Sequence, residues 1–147
     1  MGMIEEVAAH LTATSTRFAA GETLFANAHP VVDAPSLSLW ETGGAPPVQS
    51  YGSTLPAWEQ QTLQMLAKST RPSSGSLLPY SSNARSLIHD AFVILNRVVN
   101  QSLSGSTAAY LRIEPRQSVM VLPGAEQDGR IVFSCNFDVW RRPSVAY

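Results

Sequence analysis

The clearest pattern in the chain is an alternation near its end. In "RIVFSCNFDVW", Ile131, Phe133, Cys135, Phe137 and Val139 share one parity, and Ser134, Asn136, Asp138 and Trp140 share the other. Period-two alternation marks a strand with one face in a core. "SLSLWE" repeats it, with Leu37 and Leu39 against Ser36, Ser38 and Trp40. "QTLQMLAKS" sets Leu63, Met65 and Ala67 against Thr62, Gln64 and Lys68, interrupted by Leu66. "AAYLRIE" sets Ala109, Leu111 and Ile113 against Tyr110 and Arg112. "SVMVLP" is a short apolar run, and the turn formers of "PGAEQDG" join it to the last strand as a predicted hairpin.

Two stretches follow the helical period instead. Ile4, Val7, Ala8 and Leu11 predict a short helix from residue 3 to about 12, with Glu5 and Glu6 in the first turn, where the helix dipole favours negative charge. Ala84, Leu87, Ile88, Ala91, Phe92, Leu95, Val98 and Val99 form a continuous stripe over 83–100, capped by Ser81, Ser82 or Asn83. Burying Leu87, Ile88, Phe92 and Leu95 contributes roughly 1.5–3 kcal/mol each, which makes this helix a main pillar of the core. Between the helices, "GETLFANAHP" reads as a connector anchored by Leu24 and Phe25.

Gly43, Gly44, Pro46, Pro47, Gly52 and Pro56 punctuate the stretch after Glu41 and predict an extended loop over 43–57. Residues 141–147 read as a C-terminal tail. The order helix, strand, strand, helix, strand, strand, strand predicts one α+β domain over 1–147. Its mostly antiparallel sheet has four to five strands, with two helices packed on one face. The alternation of the last strand leaves Asn136 and Trp140 on a second face that needs solvent or a partner.

Composition narrows the function. The 147 residues carry ten basic and eleven acidic side chains, and only 14% are charged, against about 25% in an average protein. A near-neutral balance argues against affinity for DNA phosphates. A sparsely charged surface suits a chain that packs against other subunits. The single cysteine excludes an intramolecular disulfide. No apolar run approaches the ~20 residues of a membrane helix. The acidic N-terminus does not read as a signal peptide, and Glu6 stands where a myristoylation motif wants Ser or Thr. The reading is of an intracellular product with no membrane partner.

Catalytic motifs are missing from the sequence. There is no G-x-S-x-G elbow, no phosphate-binding G-x-x-x-x-G-K-[ST] loop, no H-E-x-x-H and no C-x-x-C. His10, His29 and His89 fall on different segments, whereas a metal site needs convergent ligands. Cys135, between Phe133 and Phe137, reads as a small buried hydrophobe. Glu41, Glu126 and Asp138 are the carboxylates one would test as acid–base groups, but charged strand ends are ordinary. "ETGG" opens no helix and so makes a poor phosphate cradle. No cofactor or metal is expected. "VWRRPSVAY" combines Trp140, Arg141, Arg142 and Tyr147. Two arginines are too few for nucleic acid, while aromatic residues with arginine are what protein interfaces enrich.

Taken in order, "LSLWETGGAPP", "AWEQQTLQMLAKS", an amphipathic helix, "AYLRIEPRQSVMVL" and "GRIVFSCNFDVWRRP" resemble the phage minor capsid or tail terminator proteins. That family carries a strand of the form [IV]-x-L-Y-[DE]-T-G-G-x-x-P and a closing strand reading F-S-C-N-F-x-V. Trp40 stands here where Tyr is common, Ser134 to Val139 match the last element closely, and "QTLQMLAKS" lacks the family's alternating Val and Arg. The agreement in order covers roughly residues 3–142.

The resemblance implies a non-enzymatic virion protein with a tail-terminator-like α+β fold, assembled in the host bacterial cytoplasm. It implies a hexameric ring at the head-proximal end of the tail tube. The ring would end tube polymerisation and join the tail to a head–neck connector or stopper protein. DNA would pass through its lumen without specific binding. A different neck component, such as a stopper or head-completion protein, or a tail-tube relative is the second reading. A small cofactor-free enzyme near Glu41, His89 and Asp138 is the third. The interface residues expected under the first reading are Trp40, Glu41, Gly43, Gly44, Pro46, Pro47, Tyr51, Trp58, Asn136, Asp138, Trp140, Arg141 and Arg142.

Overall fold

The computed structural model describes residues 2–28, 30, 34–48, 58–70, 78–122 and 130–142. Its elements are α1 (Met3–Thr14), β1 (Leu24–Ala26), β2 (Ser36–Val48), β3 (Trp58–Lys68), α2 (Leu78–Asn96), β4 (Val99–Gln101), β5 (Ala109–Pro115), β6 (Met120–Val121) and β7 (Val132–Arg142). Seven strands form one sheet in the order β1-β2-β3-β7-β5-β4, with β6 pairing β7 beyond the end of β5. All pairs are antiparallel except β1–β2. The α+β class agrees with the sequence reading, and the sheet has more strands than the four to five expected.

The core face is written in the registers. Leu37 pairs Ala67, Leu39 pairs Met65, Met65 pairs Cys135 and Leu63 pairs Phe137. Paired residues point to the same side, so these buried side chains form one apolar layer. Both helices lie against it. Phe92 of α2 meets Phe137 with ring centroids 5.6 Å apart. Met3, Ile4, Val7 and Leu11 of α1 are buried in the same cluster.

Several boundaries move, each for a local reason. α1 runs to Thr14, with the Thr12 and Thr14 hydroxyls donating back to the Ala8 and His10 carbonyls and so not competing for backbone N–H groups. α2 begins at Leu78, ahead of the expected caps at Ser81, Ser82 and Asn83; Pro79 falls in the first turn, where no N–H is needed. It ends at Asn96, not 100. The N–H groups of Arg97 and Val98 tighten onto Ile94 and Leu95 carbonyls, and Asn100 turns to φ 48°. Val98 stays buried, but Val99 starts a strand and is 57% exposed. The Leu24–Phe25 connector is itself a strand, and both anchors are buried.

The expected loop over 43–57 is corrected in its first part: β2 continues through Gly43, Gly44, Pro46 and Pro47 to Val48. β1 covers β2 only at Leu37–Leu39, so the second half of β2 is an edge, where proline costs no ladder hydrogen bond. Register shifts between Glu41 and Gly44 and between Ala45 and Val48 absorb the extra residues. Gly43 has φ +100°, and a Cβ on Gly44 would collide with the backbone of Gln60. Residues 49–57, with Tyr51, lie outside the described residues.

The tail expected from 141 is also corrected. Arg141 and Arg142 belong to β7, where they pair with Tyr110 and Ala109 of β5; residues 143–147 lie outside the described residues. Near the other end of β7, Arg130 joins three segments. Its Nε donates to the Ser69 carbonyl (2.7 Å) and its Nη2 to the Ala34 carbonyl (3.0 Å).

β5 departs from strict alternation. The register slips between Tyr110 and Arg112, so Leu111 is a bulged extra residue. Tyr110 and Ile113 are therefore buried, and Leu111, expected in the core with Ala109, is 40% exposed. The predicted hairpin is formed by β6 and β7, which pair Met120 with Ser134 and Val121 with Phe133.

Candidate functional site

The second face of the sheet carries most of the residues singled out from the sequence. Across it, Trp40 aligns with Gln64 and Asn136, and Thr62 with Asp138 and Glu114. Gln60 aligns with Trp140, Arg112 and Val99. Toward Lys68 this face is closed, because Ser36, Ser38, Val132 and Ser134 are buried. From Trp40 outward it is half-exposed, with neither helix over it. Its composition is amide, hydroxyl and tryptophan, with charges in pairs: Arg116 sits 3.7 Å from Asp138 and Arg112 2.8 Å from Glu114.

At one corner the Arg142 guanidinium lies 4.3 Å from the centroid of the Trp58 ring, a cation–π contact. Beside it, Val99, Asn100, Leu111, Arg112 and Trp140 line a shallow hollow of about 360 Å³. The bulge in β5 creates this corner, since it moves Leu111 from the core to the side of Trp140. Alternation puts Leu111 in the core and the helical period puts Val99 on the apolar stripe of the second helix, so neither is expected at the surface.

Glu41 ends the regular part of β2. It is exposed and accepts a hydrogen bond from Gln61 Nε2 at 3.0 Å. Gly43 and Gly44 are exposed beside it, and Pro46 and Pro47 follow in the strand. Trp40, Trp58, Asn136, Asp138, Trp140 and Arg142 thus belong to the second face, while the Glu41–Pro47 segment extends from its β2 margin.

Arg141 does not belong with them. Its side chain is on the core side, where Nη2 donates to Glu6 Oε1 at 2.7 Å and Nη1 to Glu59 Oε2 at 3.0 Å. Glu6 Oε2 also accepts the Tyr110 hydroxyl at 2.6 Å and the Ser106 hydroxyl at 2.7 Å. All three charged side chains are at most 8% exposed. Burial works against the charge on Glu6, but the bonds from Arg141, Tyr110 and Ser106 outweigh it and hold the carboxyl below its ordinary value. Burial and the Glu6 carboxylate push the Tyr110 phenol well above its own. The network fastens α1 to β3, β5 and β7. A satisfied cluster of this kind fixes geometry and leaves no donor aimed at a substrate.

The remaining titratable candidates are scattered. His89 is on the exposed side of α2, across the sheet from Asp138, so Glu41, His89 and Asp138 do not form one site. His10 Nδ1 accepts from the Ser104 N–H at 3.2 Å, and burial lowers its tendency to protonate. His29 and Glu126 lie outside the described residues. Burial pushes the Cys135 thiol up to about 11, as expected for a core cysteine. Among the described residues no three His, Cys, Asp or Glu side chains stand close enough to share a metal ion, and no helix is long and apolar enough to cross a membrane.

No protein-family model matches the chain, and no curated protein matches it in sequence.

Proposed function

We propose that this chain is a ring-forming structural protein of a long-tailed phage. In this reading it is a tail terminator that ends tube polymerisation and links the tube to the head–neck connector without catalysing a reaction. The observation that carries the reading is the half-exposed second face, where Trp40, Trp140 and the Trp58–Arg142 pair surround amides and internally paired charges. Tryptophan with arginine is the usual make-up of interface anchors. Charges already paired within the subunit can be covered at low cost by a neighbour. The ordered resemblance of "LSLWETGG" and "FSCNFDV" to tail terminators supplies the biological setting.

A ring requires each subunit to present two different surfaces that meet head to tail. The half-exposed second face and the exposed Glu41–Gly44 margin of β2 are two candidates for them. DNA would traverse the lumen without specific contact, consistent with a formal net charge of −1.

The test is the mass of the purified full chain in solution, alone and with tube protein. A closed oligomer that caps tube ends and stops their growth is the expected result. A strict monomer that never binds tube ends would overturn the reading. Co-purification with the portal side alone would instead favour a stopper or head-completion protein.

A further inference from the structure

We propose that the β4–β5 corner of one copy docks on the β1–β2 edge of a second copy, so that subunits join head to tail across the sheet margins. This rests on the ring reading and specifies which surfaces meet.

The first observation is apolar. Among the described residues the exposed large hydrophobic side chains are Val99, Leu111, Met120 and Val121; Val99 and Leu111 share the hollow beside Trp140, while Met120 and Val121 pair with the other end of β7. The contiguous Val99–Leu111 pair beside Trp140 marks a contact surface. The Leu111 bulge adds to it, as bulges do where a strand re-aims a side chain for contact. The outer edge of β4 is short, which suits side-chain docking better than a long strand addition.

The second observation is charge. On the same side Arg112 and Arg116 are paired with Glu114 and Asp138, which leaves Arg97 and the Trp58-stacked Arg142 as the excess charge. The opposite margin exposes Glu22, in the turn before β1, and Glu41, at the end of the regular part of β2. Arg17 on that side is already held by Asp90. The basic, apolar corner packed on its own copy would set arginines against arginines, which disfavours a two-fold dimer through this edge. The acidic margin of a neighbour removes that repulsion. Two unlike surfaces at opposite ends of one sheet give a heterologous contact, which closes into a ring when the rotation allows.

The experiment is a charge swap on the full chain. One variant carries Glu22→Arg and Glu41→Arg; the other carries Arg97→Glu. These are exposed positions, and thermal unfolding alongside wild type checks that both variants fold. Light scattering should show the wild type assembled and each variant alone weakened in self-association by about tenfold or more. An equimolar mixture should regain assembly, because each reversed margin then meets a reversed corner in alternation.

Assembly unchanged in both variants would overturn the proposed contact while leaving the ring reading in place. Loss in the arginine variant alone, with no rescue on mixing, would overturn it in favour of another partner at the corner. A wild-type chain monomeric at every concentration, with or without tube protein, would overturn both.

Discussion

Arg141 and Glu6 meet at 2.7 Å although 135 positions separate them in the chain. The last strand and the first helix are thereby fastened by a two-pronged contact, Arg141 Nε also reaching Glu6 Oε2 at 3.5 Å, with Glu59 as a further acceptor at 3.0 Å. Removing the arginine leaves two buried carboxylates without their cation. We predict that Arg141→Met destabilises the protein by about 3–5 kcal/mol, the usual cost of breaking a buried pair from one side. Replacing Glu6, Glu59 and Arg141 together with apolar residues should recover much of that loss. Denaturant midpoints of the two variants check this, and a triple variant no better than Arg141→Met would contradict it.

The same network sets an acid limit. Glu6 has a folded value below its ordinary 4.5, so the folded state holds its proton less tightly than the unfolded chain does. The stabilisation is complete above the ordinary carboxylate range and disappears as pH falls through the depressed folded value. Glu6→Gln should be less stable near neutrality by roughly 1–3 kcal/mol. Its stability should then decline less steeply with acid. Unfolding curves measured between pH 7 and 3 report both effects, and parallel acid limbs for variant and wild type would refute the assignment.

Gly44 is fixed by a close approach, not by its dihedral angle. A Cβ there would meet the Gln60 backbone, which cannot move aside as a flexible side chain can. Gly44→Ala should cost about 1–3 kcal/mol and disturb the β2–β3 pairing. Gly43, at φ +100° with open space around it, should tolerate alanine with about 1 kcal/mol of backbone strain. Amide exchange at Gln60 and Gln61 separates the two cases: faster in Gly44→Ala, near wild type in Gly43→Ala.

The β5 bulge gives a prediction that plain alternation reverses. Leu111→Ala should change stability by no more than about 0.5 kcal/mol, because Leu111 is exposed. Ile113→Ala should cost about 2–5 kcal/mol, because Ile113 is buried. Equal large losses at both positions would mean that β5 has no bulge.

These cases show where the sequence can be read and where it cannot. β3 and β7 face the core as their alternation predicts, because each has partners on both sides and no register shift between them. The charged network was within reach of the same rule. Position 141 continues the parity of Phe137 and Val139, and position 59 continues that of Leu63 and Gln61. An arginine and a glutamate thus fall at core positions of adjacent strands. The pair shows only when β7 extends through Arg142, past the tail boundary expected at 141.

Leu111 was not legible, since a single bulge inverts parity without any glycine to mark it. The reach of β2 past Gly43 depends on how little of it β1 covers, which is tertiary information. The second face was partly legible. Alternation put Asn136, Asp138 and Trp140 there, but only the fold shows that both helices lie on the other side.

Arg130 ties Ala34, Ser69 and its own segment together beside the ends of β2, β3 and β7. The Ser69 and Ile131 backbones bond each other directly at 2.9 Å. The clamp sets a boundary for sequence change. Ser69 and Arg130 hold the β3–β7 register from just outside the two strands, through backbone carbonyls that any side chain at Ala34 or Ser69 would leave in place. The half-exposed sheet face can therefore diversify while the strands and their tryptophans keep their spacing.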